Sequence, residues 1–564
     1  MPEYAEEFDF VVVGSGGGSM AAALVLRDAG KSVLILEKTD LVGGTTARSG
    51  GVMWIPDNRF MKRDGLEDSF EKAEAYLDAL VSGDSAEAPG STPERRRAYL
   101  RRGPEMIDYL VAKGIRLTRP SYWPDYYDEL PGGSEHGRSV VSHLFNVNRL
   151  GAWKARLRPG RFAALPAMHD ELSQLPGIKK SFRVKLLAAK IVLRKHLAKL
   201  FGMELVSAGM ALQGQMLLAA TTAGVDIRTE AGVSELIVEQ GRVAGVVATI
   251  GGEPRRIGAR LGVLVNAGGF GRNQAMRDRY CPGTSVDWTM AGPGDTGEVL
   301  EEMMRKGADV AQMAERVGHQ LTVSPGFEKA DFKASAQKLT ASPHAILVDR
   351  TGVRYMNEAG SYMAYCKGML ERDRTVPAIP GWAIFDRQCL SGAILDDTRP
   401  GSNRTRSLIK QGYLHKADTI EGLATSLGME PATLRATVER FNGFAANRRD
   451  EDFQRGDRAY DKWLGDRFDE WSASLGAIEK APFYAVPVVP GDMGTYGGVV
   501  CDVDARVLRE DGSVIEGLYA TGVSTASVMG GFYPGAGGSV GPSFVWGYIA
   551  ARHAVAQVAA EGRA

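Results

Sequence analysis

An apolar, β-branched run from Phe8 to Val13 (FDFVVV) ends abruptly at Gly14-Ser15-Gly16-Gly17-Gly18-Ser19. A short run of this kind, bounded by glycine, reads as a buried strand. Residues from about Ser19 to Ala29 follow as a helix with its stop at Gly30, and Ser32 to Leu36 (SVLIL) forms a second strand closed by Glu37. This is a βαβ unit. Gly14 and Gly16 let backbone N–H groups approach a pyrophosphate, which then rests at the positive end of the helix. Glu37 stands 37 − 14 = 23 residues beyond Gly14, where a carboxylate accepts hydrogen bonds from an unphosphorylated ribose. Ser19 occupies the place where a third glycine would allow tight helix packing, and it is small enough to be tolerated. The expected fold class is therefore α/β, with a Rossmann-like dinucleotide domain. A tight turn with a purely structural role is the competing reading of the glycines.

Composition narrows the function classes. The chain has 564 residues, in which 68 Lys and Arg balance 68 Asp and Glu, so a general nucleic-acid binder is not expected. With 44% hydrophobic and 24% charged residues it has the composition of a globular protein. Glycine is in excess, 69 residues or roughly 12% against a usual ~7%, and it is clustered as in loops pressed against a ligand. Cys281, Cys366, Cys389 and Cys501 have no CxxC spacing, so no disulfide framework or zinc knuckle is expected and a reducing, cytoplasmic location fits. The acidic N-terminus carries no signal-peptide pattern, and no apolar run is long enough to span a bilayer.

A second polar, glycine-rich stretch, Gly43-Gly44-Thr45-Thr46 and then Ser49-Gly50-Gly51, lies too close to Glu37 to belong to another domain. It is placed to run along the far end of an extended dinucleotide. The arrangement resembles the fumarate reductase and 3-ketosteroid dehydrogenase group of flavoproteins, which implies FAD as the cofactor. Val263 to Phe270 (VLVNAGGF) and Gly517 to Gly522 (GLYATG) read as further strands returning to the nucleotide, so the resemblance spans nearly the whole chain. It implies a cofactor set of Gly14, Ser15, Gly16, Gly18, Glu37, Lys38, Gly44, Thr45, Thr46, Ser49, Gly50, Gly51, Val233, Ala267, Gly268, Gly522, Gly538, Ser539 and Val540, with Val233 meeting adenine through its backbone. No histidine lies in the first glycine segment, so the flavin is expected to be held without a covalent bond.

The resemblance implies a discontinuous FAD domain, 1–318 and 491–564, with an inserted α+β catalytic cap over 319–490. Residues 281–318 read as largely helical, with an amphipathic stretch from Gly294 to Lys306, and Pro431 to Asn442 reads as a surface helix. One segment stands apart. From Leu172 to Met203 there is no acid, while Lys179, Lys180, Arg183, Lys185, Lys190, Arg194, Lys195 and Lys199 carry positive charge. Phe182, Leu186, Leu187, Ile191, Leu193, Leu197, Leu200 and Phe201 recur near helical spacing, giving one apolar and one basic face. Residues 177–202 are thus expected to rest on an anionic membrane surface, making the protein peripherally membrane-associated. The alternative is a helix packed on its own protein with a solvated basic face.

His319, His344 and His415 have no acid or cysteine at a metal-ligand spacing, and no metal is expected. Tyrosines recur instead, in SYWPDYY (121–127), NEAGSYMAY (357–365) and GGFYPGAGGSVG (530–541). In the last stretch a phenol sits beside exposed backbone N–H groups, an oxyanion hole in outline; the glycines alone would serve equally as a phosphate or flavin loop. Tyr-Pro-Gly-x-Gly resembles the 3-ketosteroid Δ1-dehydrogenases. That resemblance implies Tyr533 and the Gly537 N–H as holders of the C3 carbonyl, Tyr362 as the base and Tyr126 as its helper, with Tyr127 and Tyr122 as neighbouring alternatives for the helper. Each of these tyrosines could equally be an aromatic wall residue.

The resemblance implies 1,2-desaturation of a 3-ketosteroid, of cholest-4-en-3-one type given the basic segment, with a quinone or other acceptor taking the electrons. Rival readings are Δ4-(5α)-dehydrogenation, a fumarate reductase-like ene-reductase and a flavin-binding membrane adaptor without turnover.

Overall fold

The computed structural model describes residues 3–82, 88–161, 165–392, 403–469 and 471–561. The last three residues of the expected C-terminal return, 562–564, lie outside the described residues. The chain opens with β1 (Glu6–Val13), α1 (Gly17–Asp28) and β2 (Val33–Leu36). The last four residues of β1 and all of β2 are buried, which is why both read as continuous apolar runs and not as alternating ones. Two residues earlier than the apolar pattern indicates, α1 begins with Gly17 and Gly18 in its first turn. They do so because the last helix of the chain lies against them. A Cβ on Gly18 would stand 2.2 Å from the Ser543 carbonyl oxygen, and one on Gly547 would stand 2.2 Å from that of Gly18. Ser19 is more than tolerated, since its Oγ accepts a hydrogen bond from Asn266 Nδ2 at 2.9 Å.

Next come α2 (Gly44–Arg48), α3 (Phe182–Leu200), β3 (Asp226–Arg228), β4 (Gly232–Glu239), β5 (Arg242–Ile250), β6 (Glu253–Val265) and α4 (Glu298–Arg305). The middle of the chain supplies β7 (Arg316–Thr322), β8 (Ala334–Ser335), α5 (Gln337–Ala341), β9 (Ala345–Val348), α6 (Tyr362–Asp373), β10 (Gly381–Asp386), β11 (His415–Ala417), α7 (Pro431–Asn447), α8 (Ala459–Leu464) and β12 (Phe483–Thr495). The C-terminal part adds β13 (Arg506–Leu508), β14 (Val514–Ala520) and α9 (Val540–Glu561).

Among the described residues the first sheet has eight strands in the order β13-β14-β6-β1-β2-β3, with β5 paired to β6 and β4 to β5. Its central strands are parallel, in a register that sets Val13 beside Leu36 and Val265, and Val265 beside Ala520. Four strands therefore finish in one row, and open α/β sheets bind their ligands beyond such a carboxyl edge. For this reason the expected strand from Val263 to Phe270 is cut short: β6 stops at Val265, and the chain leaves the row through Gly268 at φ +84°.

The second sheet is antiparallel, in the order β8-β7-β12-β10-β9 with β11 paired to β12. The α6 helix packs on β7 and β12, while Leu434, Val438 and Phe441 of α7 bury against Ile346, Val348 and Ile384. Arg316 and Thr495, which are paired, are the outermost residues of β7 and β12, so these strands straddle residues 319 and 490. Residues 281–318 are not largely helical. Gly292-Pro293-Gly294 and Gly297 (φ +83°) hold off the helix until Glu298, and β7 has begun by Arg316.

Candidate active site

A cavity of about 750 Å³ lies between the carboxyl edge of the first sheet and the second sheet. Gly14, Ser15, Gly16, Glu37, Lys38, Gly44, Thr45, Thr46, Ser49, Gly50, Gly51, Val233, Ala267, Gly268, Gly522, Ser539 and Val540 all line it. Gly18 and Gly538 do not. Gly18 is spent on the crossing of α1 and α9, and Gly538 backs onto Pro534 while its carbonyl accepts the Tyr496 hydroxyl at 2.6 Å.

The cradle is formed by backbone held in place by its surroundings. Gly14 has φ +92°, and a Cβ there would stand 2.2 Å from the Asn266 carbonyl oxygen, so no other residue fits without strain. Glu37 is 7% exposed. Its carboxylate accepts from Ser15 Oγ at 2.5 Å, Thr39 N at 2.9 Å and Thr39 Oγ1 at 2.7 Å. A carboxylate has about four acceptor positions, so capacity remains for a ribose hydroxyl. Lys38 Nζ donates to Thr296 Oγ1 at 2.6 Å and pairs with Glu298, tying the end of β2 to α4.

Asp295 is a cavity residue that the sequence reading missed, although its Gly-Pro-Gly-Asp-Thr-Gly setting resembles the glycine-rich stretches that were singled out. It accepts from the Gly269 N–H. Burial pushes its carboxyl up to about 6, with that hydrogen bond working in the opposite direction. Backbone approaches at Gly14 and Gly16, an acceptor at Glu37 and a glycine-lined run onward to Gly51 together fit an extended FAD.

At the other end of the cavity three phenols from distant segments meet. Ring centroids of Tyr362 and Tyr533 are 5.0 Å apart, those of Tyr126 and Tyr362 5.3 Å, and those of Tyr126 and Tyr533 5.9 Å. Tyr362 opens α6, the helix that packs on β7 and β12. Tyr126 is anchored through its N–H to the Pro534 carbonyl at 2.9 Å, which fixes it beside Tyr533. Tyr122 and Tyr127 are turned elsewhere, against His136 and Phe532. The Tyr533 hydroxyl shares a 3.0 Å hydrogen bond with Ser539 Oγ and accepts the Ser539 N–H at 3.3 Å. Gly537, with φ +99°, gives its carbonyl to the N–H groups of Trp54 and Gly541 and lines the cavity. Burial raises the pKa of all three phenols, and for Tyr362 the neighbouring Tyr126 and Tyr533 raise it further.

Tyr460, Trp123, Trp463 and His319 also line this end. Nothing in the Ala459-Tyr460-Asp461-Lys462-Trp463-Leu464 sequence marks it as a site. The His319 ring meets Tyr362 edge-on at 5.6 Å, and burial lowers its pKa to about 3, so it is neutral. Among the described residues no cluster of His, Cys, Asp or Glu is placed to hold a metal ion.

The basic insertion borders the same cavity through Leu172, Ser173 and Pro176, opposite Trp463, Leu464 and Arg467. Arg467 donates to the Ser173 carbonyl at 2.6 Å, Lys180 pairs with Asp466 at 2.9 Å, and Gly177 lies flat on Phe468. On α3 the expected single apolar face is split in two. Val184, Ile191 and Ala198 point inward, whereas Phe182, Leu186, Leu193, Leu197 and Leu200 point outward, with Phe182 73% and Leu200 77% exposed. At about 3.6 residues per turn these stripes occupy opposite sides of the helix. Exposed Arg183, Lys185, Lys190 and Lys199 flank the outer one. Among the described residues no helix is long and apolar enough to cross a membrane.

Comparison with known proteins agrees with this geometry. The FAD binding domain family matches residues 9–540. A 3-oxosteroid 1-dehydrogenase of Mycolicibacterium smegmatis is 38% identical over 98% of this chain and 98% of its own. A 4-oxocyclohexanecarboxylate 2-dehydrogenase of Sinomonas cyclohexanicum is 33% identical over 98% of this chain and 93% of its own. The crystal structure of the 3-ketosteroid delta1-dehydrogenase of Sterolibacterium denitrificans, in complex with 1,4-androstadiene-3,17-dione, matches with a TM-score of 0.91 at 34% identity, covering 98% of this chain and all of that one. With the cradle, the inserted sheet and these full-length similarities in agreement, the chain belongs to the FAD-binding flavoprotein family, in the group of the 3-oxosteroid 1-dehydrogenases.

Proposed function

We propose that this protein is a 3-oxosteroid 1-dehydrogenase that introduces a 1,2 double bond into a 3-ketosteroid. The observation that carries the reading is the meeting of Tyr126, Tyr362 and Tyr533 beside Gly537 in the wall of the FAD cavity. Hydrogen bonds from the Tyr533 hydroxyl and the Gly537 N–H to the C3 carbonyl stabilise the developing enolate and acidify C2. Among the described residues no acceptor engages the Gly537 N–H, which supports that role. Tyr362 removes the C2 proton, and Tyr126 donates a hydrogen bond to the charged form of Tyr362. That help matters because an ordinary tyrosine, with a pKa near 10, is a weak base at neutral pH and burial weakens its ionisation further. FAD, when bound, supplies the oxidation by taking up the hydride that leaves C1. The protein holds the two reacting positions in line and keeps water out. A quinone or other acceptor then collects the electrons.

A membrane surface completes the reading. The outward stripe of α3, with cations on both flanks, suits the headgroup region of an anionic bilayer, and the insertion carrying it forms the rim of the cavity. A lipid-soluble sterone such as cholest-4-en-3-one would enter from that side. Four buried cysteines without disulfides support a cytoplasmic, peripherally bound enzyme of steroid degradation.

Anaerobic addition of a 4-en-3-one steroid should bleach the oxidised flavin and yield the 1,4-dien-3-one. A flavin that stays yellow, or that responds only to a dicarboxylate or a 4-oxocyclohexanecarboxylate, would overturn the steroid reading. Faster reduction by an androstene than by a C27 enone would overturn the sterone preference alone.

A further inference from the structure

We propose that Arg158 is the charged holder of the FAD pyrophosphate, with Arg48 as the second cation, so that an ion pair adds to the backbone N–H groups of the cradle. The inference concerns the cofactor and does not depend on the steroid reading. Arg158 is 5% exposed and lines the cavity. Its Nη2 donates to Thr39 Oγ1 at 2.5 Å and to the Leu41 carbonyl at 3.0 Å. A guanidinium has five N–H donors. Among the described residues Nε and Nη1 have no acceptor, and no carboxylate lies within ion-pairing distance. Glu37 is reached through the Thr39 hydroxyl, which donates to it at 2.7 Å.

The neighbouring backbone fixes where this side chain stands. The Arg158 N–H donates to the Val42 carbonyl at 2.9 Å, and the Val42 N–H to the Arg156 carbonyl at 2.7 Å. The Gly43 N–H donates to Ser15 Oγ at 2.9 Å. A Cβ on Gly160 would stand 2.6 Å from the Ala47 carbonyl oxygen, so the segment lies flat on α2. Arg158 is therefore held beside the loop from Glu37 to Gly44, between the ribose acceptor and Thr45–Thr46. The pyrophosphate is the group joined directly to that ribose, and in an extended dinucleotide it follows next along the cradle.

A buried cation without a counter-charge is costly, and here cations gather. Arg48, 6% exposed, lines the same cavity; its Nη2 donates to the Asp331 carbonyl at 2.6 Å, and its Nε has no acceptor. The Asp331 carboxylate stands 3.5 Å from Arg48, yet its side chain is 65% exposed, and it also faces Arg272 at 4.0 Å. Burial lowers the pKa of Arg48; Asp331 opposes the fall, while Arg272 and Arg158 add to it. Lys38, by contrast, is already paired with Glu298. A pyrophosphate diester, with one negative charge on each phosphorus, supplies the balancing charge. Its oxygens suit the planar donors of a guanidinium.

The test uses the full-length chain as wild type, Arg158→Gln and Arg158→Lys. Binding of FAD, ADP and adenosine to protein stripped of FAD is measured by calorimetry at low and high salt. ADP keeps the pyrophosphate and adenosine lacks it. Arg158→Gln should weaken FAD and ADP about 10- to 100-fold, the size of a hydrogen bond to a charged group, and leave adenosine unchanged. Salt should weaken ADP binding more steeply in the wild type than in Arg158→Gln. Arg158→Lys should keep part of the affinity and the salt dependence, since it keeps the charge without the planar fork. Release of FAD from the holoenzyme, which needs no stripped protein, should be fastest from Arg158→Gln and intermediate from Arg158→Lys. Wild-type affinity for ADP in Arg158→Gln, or equal release rates from the two variants, would overturn the proposal. So would an equal loss for ADP and adenosine with unmoved salt dependence, which would leave Arg158 a brace for the loop after Glu37. No steroid enters the test, so its failure and that of the functional reading are separate.

Discussion

The two ends of the cavity are built on opposite principles. At the nucleotide end the machinery is backbone made accessible by missing side chains: Gly14, Gly16 and Gly51 stand where a Cβ would strike neighbouring backbone or the Asn266 side chain. At the substrate end the machinery is side chains, and four tyrosines from positions 126, 362, 460 and 533 converge though hundreds of residues separate the first from the last. The first kind of site is written in a short stretch of chain. The second depends on the inserted sheet, the segment around Tyr126 and the segment before α9 all arriving together. Damage should therefore separate cleanly, with cradle substitutions lowering cofactor content and phenol substitutions lowering chemistry.

The largest effect is expected from Tyr362→Phe. Turnover should fall about a thousandfold, within the usual range for loss of a general base, while the ratio of FAD to protein stays at the wild-type value. Near-normal turnover would show that the base lies elsewhere. Tyr533→Phe should cost about a hundredfold in kcat, as for removal of one oxyanion donor, and should weaken binding of the dienone product. A loss confined to FAD content would place Tyr533 with the cradle and break the division drawn above.

A third surface belongs to neither end. Replacing Arg183, Lys185 and Lys199 by Gln should lower partitioning onto anionic vesicles about a hundredfold, at about 1 kcal/mol for each cation near a charged surface. Turnover of a steroid dissolved in detergent should be unchanged. Unchanged sedimentation with the vesicles would remove the membrane from the reading.

Smaller effects belong to the cradle. Gly14→Ala forces both a positive φ and a backbone clash, so FAD affinity should drop about tenfold, the scale of a strained backbone residue. Enzyme reloaded with excess FAD should turn over normally, and failure to recover would join the two regions. The smallest change concerns Asp295. Its folded pKa, raised to about 6 by burial, exceeds the ~3.9 of an unfolded aspartate. The folded state therefore binds that proton more tightly, and this contribution to stability is present at low pH and lost as pH rises through 6. Between pH 5 and 7.5 the apoprotein should lose about 1–2 °C of melting temperature through this group, and Asp295→Asn should abolish that part of the decline. A decline identical in the variant would assign it to other groups.

How far the sequence could be read follows the same division. The glycine turns, Glu37 and the Thr45–Thr46 loop were legible because each is a local conformational demand with a local composition. Gly18 was legible as a special position, but its purpose was not. Only the crossing of α9, more than five hundred residues later, shows the helix for which its missing side chain makes room. Tyr362, Tyr126 and Tyr533 were found through a family resemblance. Tyr460 carried no signal, because a tyrosine in a short helix with no glycine beside it looks like any core residue. The basic insertion was legible in charge, yet its apolar residues were assigned to one face. Periodicity reveals that a helix has apolar stripes but not which of them is already covered by the protein, so Ile191 and Leu193 could be told apart only by seeing what lies against each.

What the chain order fixed alone was the first βαβ unit, because strand, turn and helix interact within a few residues and the conformation of Gly14 is set by its own missing side chain. Only the tertiary structure decided which phenols share a surface, which face of α3 meets solvent and where Asp295 titrates. Each of these depends on burial and contact between segments far apart in sequence, and burial is a property of the assembled fold.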